Sequence, residues 1–158
     1  MIQNKIPPPI VTLFFGLCIY FSRDYFLSYE YKLLDILSYI CYFIGLCILI
    51  LAVNSFKKQS TTVNPIKIDH ASSLVTSGVF EYSRNPMYLG MLIVLLSISF
   101  KFNLAGGIVI SLFFYLFITR FQIIPEEEAM NELFGDEFIE YSNKVIRGFL
   151  VKGACRFI

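Results

Sequence analysis

Two polar segments of this chain carry side chains that can bind a ligand and act on it. The first, residues 74–90, includes Arg84 and Asn85, and the second begins with the paired carboxylates Glu126 and Glu127. Arginine, asparagine and the free N–H groups of a helix amino terminus donate hydrogen bonds to anions. Paired carboxylates bind an ammonium group or ribose hydroxyls. Together these groups suit a zwitterionic, nucleotide-like ligand that carries both a carboxylate and an amine.

Three further residues of the first segment contribute to the same predicted site. Pro86 fixes the backbone at the first turn of a helix, where its missing N–H is not needed. Tyr88 lies one turn beyond Arg84 and offers a ring face and a hydroxyl. Gly90 lets a neighbouring helix or a ligand approach the backbone closely.

The elements that must position these residues are membrane helices. Of the 158 residues, 56% are hydrophobic and 16% are charged, whereas about a quarter of a soluble domain is charged. A helix that crosses a bilayer needs about 20 apolar residues. Four apolar blocks predict a single-domain, all-α integral membrane protein with about four transmembrane helices: residues 9–21, 33–56, 86–102 and 104–124.

The short turn at Asn103 predicts that the third and fourth blocks form an antiparallel hairpin. The residues that enter the third helix then lie beside the residues that leave the fourth. We therefore expect Arg84 and Glu126, about 40 positions apart in sequence, to contribute to one site.

The segment that begins at Pro125 predicts a carboxy-terminal amphipathic helix that lies on the cytosolic membrane surface or on the loop before the third helix. The negative charges that directly follow Pro125 stabilise the amino-terminal end of a helix, which carries a partial positive charge. Its apolar residues recur at spacings of three and four, with a break or bend expected near Gly135: Met130, Leu133, Phe134, Phe138 and Tyr141.

The distribution of Lys and Arg predicts the orientation in the membrane, because cytosolic loops carry an excess of both. Three basic residues fall on one side: Arg23, Lys32 and Lys101. Ten fall on the other: Lys5, Lys57, Lys58, Lys67, Arg84, Arg120, Lys144, Arg147, Lys152 and Arg156. We therefore expect both termini and the active site in the cytosol.

The two motifs, in their order along the chain, resemble the isoprenylcysteine carboxyl methyltransferase family, whose wider group includes phospholipid N-methyltransferases. The first motif is residues 83–90, Ser-Arg-Asn-Pro-Met-Tyr-Leu-Gly. The second consists of Glu126, Glu127, Met130, Phe134, Gly135, Phe138 and Tyr141. The resemblance covers residues 61–147. Asn85 stands where the prenylcysteine enzymes carry His, which bears on the acceptor more than on the cofactor.

The resemblance implies a small multi-pass methyltransferase that binds S-adenosylmethionine at the cytosolic ends of its last helices and takes a lipophilic or prenylated acceptor from the bilayer. It implies in-line transfer of a methyl group from the sulfonium to an oxygen or nitrogen of the acceptor. The cofactor-binding residues carried over are Arg84, Asn85, Pro86, Tyr88, Gly90, Glu126 and Glu127. Arg84 and Tyr88 are also the candidate catalytic residues. Lys144 and Arg147 are candidate contacts to substrate or lipid.

Two other functions remain open at this point. One is a sterol-reductase-like enzyme that uses a nicotinamide cofactor, and the other is a non-catalytic membrane scaffold. The short chain and the Glu126–Glu127 pair favour the methyl donor. No cysteine pair has the spacing of a metal site, and no basic stripe interleaved with aromatics points to nucleic acid. We therefore expect neither a metal nor a nucleic-acid partner, and the oligomeric state is left open.

Overall fold

A computed structural model describes residues 6–26, 31–58 and 74–147, and every regular element in these ranges is helical. The α-helices are α1 Pro8–Phe21, α2 Lys32–Lys58, α3 Pro86–Phe102, α4 Leu104–Ile118, α5 Ile124–Phe134 and α6 Asp136–Lys144. Within the described ranges, 3₁₀ turns occur at Arg23–Tyr25 and Gly78–Glu81, and a π-helical turn at Thr119–Ile123 joins α4 to α5.

Some of the sequence predictions fall on residues outside these ranges. These are residues 61–73, which belong to the segment covered by the resemblance, and four of the basic residues used to predict the orientation: Lys5, Lys67, Lys152 and Arg156.

Helices α1 to α4 alternate in direction between two ends of the bundle. At one end, Lys101 at the end of α3 pairs with Asp35 at the start of α2 over 2.7 Å. At the same end, the side chain of Asn103 donates to Ser22 and accepts from the Gly106 amide, which caps α4. The predicted antiparallel hairpin of α3 and α4 is therefore present, and its turn lies beside the end of α1.

Helix α3 lies at the centre of the bundle and packs against α1, α2 and α4. Its inward side chains belong to a buried cluster drawn from α1, α3, α4 and the π-turn: Val11, Ile19, Tyr88, Met91, Leu95, Phe114, Ile118 and Ile123. The outer face of α2 is apolar and exposed; the Phe43 side chain, for example, is 61% exposed. Such a surface is stable against lipid and costly against water.

Two stretches of the described residues are long and apolar enough to cross a membrane, Lys32–Lys57 and Leu104–Phe134. Helix α3 is shorter, with 17 residues, and α1 has 14. The all-helical architecture is confirmed for the described ranges. A total of four membrane crossings stays a prediction.

The fourth helical stretch continues further than the sequence suggested. We expected a membrane helix to end near Ile124 and a separate helix to start at Pro125, but the chain stays helical to Phe134. Proline removes one hydrogen bond of the helical ladder and clashes with the preceding turn. The π-turn directly before Pro125 widens the backbone, with the Ile124 amide donating to the Thr119 carbonyl. The expected break occurs at Gly135, whose φ is +49°.

Helices α2 and α3 make a close approach at a pair of glycines. A Cβ atom on Gly90 would lie 2.8 Å from Leu49 Cγ and 3.0 Å from the Gly45 carbonyl oxygen. A Cβ on Gly45 would lie 2.9 Å from the Gly90 carbonyl oxygen. The two glycines therefore let the backbones approach closely, as small residues do in membrane bundles.

Helix α6 is attached to the segment before α3 by a buried hydroxyl. Tyr141 donates to the Phe80 carbonyl over 2.7 Å, and Phe138 is buried on the same helix. Burial raises the pKa of Tyr141, so its hydroxyl stays protonated and continues to donate at neutral pH. This bond fixes the 3₁₀ turn that leads into the first motif.

We predict that Gly90→Ala lowers the thermal stability of the detergent-solubilised protein, because the added methyl overlaps Leu49 and the Gly45 carbonyl. Overpacking of this kind costs about 1–3 kcal/mol. Gly16→Ala is the matched control, since its Cβ would meet only the flexible ends of Ile98 and Leu95, at 3.3 and 3.6 Å. Equal melting temperatures for the two variants would contradict the close-packing interpretation.

We predict that Tyr141→Phe destabilises the protein by about 1–3 kcal/mol, because the buried Phe80 carbonyl loses its donor. Denaturant unfolding followed by circular dichroism measures the change. Tyr82→Phe serves as the control, since the Tyr82 side chain is 78% exposed and should be indifferent to loss of its hydroxyl. A Tyr141→Phe midpoint equal to that of the control would show that the bond contributes nothing.

Candidate functional site

The two sequence motifs meet at the end of the bundle opposite the Asn103 turn. The Tyr88 hydroxyl donates to Glu126 Oε1 in a short hydrogen bond. Asn85 Nδ2 donates to Glu127 Oε1 over 3.3 Å, and Arg84 Nη1 lies 3.5 Å from the same oxygen. These pairs are 38 to 43 residues apart in sequence. The antiparallel packing of α3 against α4 and α5 therefore brings the predicted residues together.

Glu127 is the centre of this cluster, and its side chain is only 10% exposed. Its Oε1 faces Asn85 and Arg84, whereas its Oε2 accepts from Arg147 Nε at 2.8 Å and Nη2 at 2.5 Å. Arg147 follows α6 and approaches from the far side of the carboxylate. Glu127 thus holds together the start of α3, the start of α5 and the segment after α6.

Backbone groups join the same three segments. The Arg84 amide donates to the Ile146 carbonyl over 2.9 Å, and Asn85 Nδ2 also donates to the Arg147 carbonyl over 3.1 Å. Residues 145–147 therefore run alongside the residues that enter α3, and we call them the carboxy-terminal strap. The strap covers one side of the cluster.

Arg84 is buried without full hydrogen bonding. Its side chain is 7% exposed, and neither Nε nor Nη1 has a hydrogen-bond partner among the described residues. The Nη1 contact with Glu127 is within ion-pair distance but lacks hydrogen-bond geometry. Leaving guanidinium N–H groups unpaired in a protein interior is costly. Oxygen atoms of an anionic ligand would supply acceptors for them, because hydrogen bonds between a guanidinium and an anion are among the strong ones in proteins.

Glu126 and Glu127 differ in how fully the protein uses them. Tyr88 alone among the described residues donates to Glu126, and it binds one oxygen only. Glu127 has partners on both oxygens. The sequence treats the two carboxylates as an equal pair. The structure instead leaves Glu126 with acceptor capacity for a ligand, while Glu127 is occupied by side chains of the chain itself.

The other predicted residues have different surroundings. Pro86 is fully buried at the first turn of α3, and Gly90 faces α2, where the helices pack. Lys144 pairs with Glu140 on its own exposed helix face over 2.5 Å. The described contacts explain Pro86 by the geometry of the helix start, Gly90 by helix packing and Lys144 by a surface ion pair. No described contact links them to the cluster around Glu127.

Two buried polar residues in the π-turn were not predicted from the sequence. Gln122 is 1% exposed; its Nε2 donates to the Ile6 carbonyl over 3.0 Å, while its Oε1 has no described partner. The amide cannot be rotated by half a turn, because two carbonyl oxygens would then face each other. Thr119 Oγ1 is buried and unpaired as well. The sequence feature that could have revealed these residues is the presence of polar side chains in the last turn of an apolar block.

A cleft of about 650 Å³ lies next to the strap-bearing end of the bundle, between the last turns of α2 and the 3₁₀ turn Gly78–Glu81. None of the predicted site residues lines it. Within the described part of the chain, no group of three or more His, Cys, Asp or Glu residues is placed to hold a metal ion.

Comparison with known proteins identifies the family. The sequence model of the phospholipid methyltransferases matches residues 33–137, which include the first motif and the second motif as far as Gly135, but not α1, Phe138, Tyr141 or Arg147. The chain is also similar to the protein-S-isoprenylcysteine O-methyltransferase of Schizosaccharomyces pombe, with 36% identity over 78 residues. That match covers 48% of this chain and 32% of the relative, so the chain spans about a third of the relative's length. No solved structure matches.

The two comparisons confirm the resemblance that the two motifs indicated. The family match extends over two-thirds of the sequence, from the start of α2 into α6. It therefore contains the pairs that the fold brings together, Arg84 and Asn85 with Glu127, and Tyr88 with Glu126. The chain belongs to the phospholipid methyltransferase family.

Proposed function

We propose that this protein is an S-adenosylmethionine-dependent membrane methyltransferase, similar to the isoprenylcysteine carboxyl methyltransferases, which methylates a lipophilic acceptor at the cytosolic face of the membrane. One observation carries the proposal. Inside the segment matched to the family, a buried arginine has two N–H groups without hydrogen-bond partners among the described residues and lies 3.5 Å from the Glu127 carboxylate.

The cluster fits the amino-acid part of the methyl donor. Arg84 offers buried N–H donors to its carboxylate, and Glu126 keeps an acceptor oxygen for its ammonium. A zwitterion brings no net charge into the site, which limits the desolvation cost of binding. When bound, S-adenosylmethionine supplies an electrophilic methyl group on a sulfonium.

The residues of the chain position the reacting groups and exclude water from them. Tyr88 is buried and donates to Glu126, so it fixes the orientation of that carboxylate at the first turn of α5. An acceptor carboxylate is already ionised at neutral pH and needs no general base. Alignment of donor and acceptor in a dry site then supplies the rate enhancement, and such alignment is worth several kcal/mol.

Two features support the proposed position at the membrane. The exposed apolar faces of α2 and α4 provide a route for a lipophilic acceptor from the bilayer. Ile6 and Arg147, the first and last residues described, both lie at the end of the bundle that holds the site. A common location of both ends agrees with the orientation predicted from Lys and Arg, with the site in the cytosol.

We expect the purified protein to bind S-adenosylhomocysteine, and we expect Arg84→Ala to weaken that binding by about 10- to 100-fold because a charged hydrogen-bond donor is lost. Isothermal titration calorimetry measures both. Arg23→Ala is the matched control, since Arg23 lies at the opposite end of the bundle with Asp24 and Tyr20. Circular dichroism checks that both variants are folded.

The proposal fails if the folded wild-type protein does not bind S-adenosylhomocysteine. Binding of a nicotinamide dinucleotide in its place would favour the reductase, and binding of neither would favour a scaffold.

We further expect membranes that contain the protein to transfer a labelled methyl group from S-adenosylmethionine into the lipid-extractable fraction. Mass spectrometry of that fraction distinguishes a methyl ester from a methylated amine. Membranes that carry Tyr88→Phe should retain less activity, because Glu126 loses the donor that orients it. Membranes that carry Tyr82→Phe, an exposed tyrosine, provide the control. Label confined to the aqueous fraction would contradict a lipophilic acceptor.

A further inference from the structure

The contacts that Glu127 makes within the protein conflict with a simple role in ligand binding. Each oxygen of a carboxylate accepts about two hydrogen bonds, and the described residues make four polar contacts to Glu127, of which the one from Arg84 is an ion-pair contact without hydrogen-bond geometry. Arg147 makes two of them, at 2.8 and 2.5 Å, whereas Asn85 and Arg84 lie at 3.3 and 3.5 Å. Both Arg147 contacts fall on Oε2, so an ammonium group can pair with that oxygen only if Arg147 gives way.

Arg147 is the partner best placed to give way. Its side chain is 31% exposed, whereas that of Arg84 is 7% exposed, so Arg147 regains hydration when it leaves. Its position in the chain does not depend on the ion pair alone, because the Ile146 and Arg147 carbonyls accept from Arg84 and Asn85. The guanidinium can therefore move while the backbone of the strap stays attached.

We propose that Arg147 is a positioning residue that acts as a latch on the donor site: it holds Glu127 in this structure and is displaced from it by the ammonium of a zwitterionic methyl donor. The inference rests on the proposed function, and it adds a competition between a side chain and the ligand. The exchange replaces one cation with another, while Arg84 stays next to Glu127. No uncompensated buried carboxylate arises at any stage, which avoids the large cost of an unpaired buried charge.

The latch assigns different parts to the two carboxylates. Glu126 has free acceptor capacity and binds the ligand directly. Glu127 is held in place by Arg147 and becomes available when the donor arrives. The family match does not imply this assignment of roles, because Arg147 lies outside the matched residues 33–137.

The test compares two ligands that differ only beyond the sulfur. S-Adenosylhomocysteine carries the ammonium and carboxylate, whereas 5′-methylthioadenosine lacks both. Their affinity ratio isolates the amino-acid part from the adenosine part. Because Arg147→Gln removes the competitor, we expect it to raise the ratio in favour of S-adenosylhomocysteine by about tenfold, the scale of one charged hydrogen bond.

Two further variants keep the test specific. Arg147→Lys retains a cation and should return the ratio toward the wild-type value. Lys144→Gln removes a nearby cation whose described partner is Glu140, so the ratio should not change. Circular dichroism and the affinity for 5′-methylthioadenosine report on folding, since a damaged site would weaken both ligands together.

The outcomes separate the latch from the proposed function. A lower ratio in Arg147→Gln would make Arg147 a direct contact to the ligand carboxylate and overturn the latch. An unchanged ratio would make it a structural ion pair and also overturn the latch. A wild-type protein that binds neither ligand would reject the proposed function itself, and the latch with it.

Discussion

A carboxylate can stay charged in a protein interior only where hydrogen-bond donors surround it, and Glu127 meets this condition by drawing three segments together. Its donors come from the start of α3 and from the strap after α6. Removing either arginine lowers the charge compensation of this carboxylate, so the pairing constrains the fold as well as the site. The start of α3, the start of α5 and the strap all meet at this one side chain, and hydrogen bonds to the Ile146 and Arg147 carbonyls add to the attachment of the strap.

Two packing features position that carboxylate: the glycine contact between α2 and α3, and the hairpin of α3 with α4. Gly45 and Gly90 let α2 approach α3 closely, and α3 becomes the buried centre of the bundle. The apolar faces that remain outside suit lipid. The proposed reaction between a water-soluble donor and a lipophilic acceptor requires a polar cluster at one end of such a bundle.

Much of the site was predictable because the hairpin follows from two apolar blocks separated by one short turn. Once the α3–α4 hairpin exists, Arg84 and Tyr88 must lie near the carboxylates. The roles of the two carboxylates were not predictable, because adjacent glutamates look equivalent in a sequence. Nor was the part played by Gln122, since a single polar residue in an apolar block does not reveal which carbonyl it will face.

The sequence by itself determined the helical class, the apolar blocks, the break at Gly135 and the two motifs, because each depends on local composition or on backbone preferences of single residues. Only the tertiary structure decided which donors each carboxylate receives and that Arg147 pairs with Glu127. It also decided that Gly90 serves helix packing and that the chain stays helical through Pro125. Those features depend on distances between segments remote in sequence, or on how one turn adjusts to its surroundings, and local preferences do not encode either.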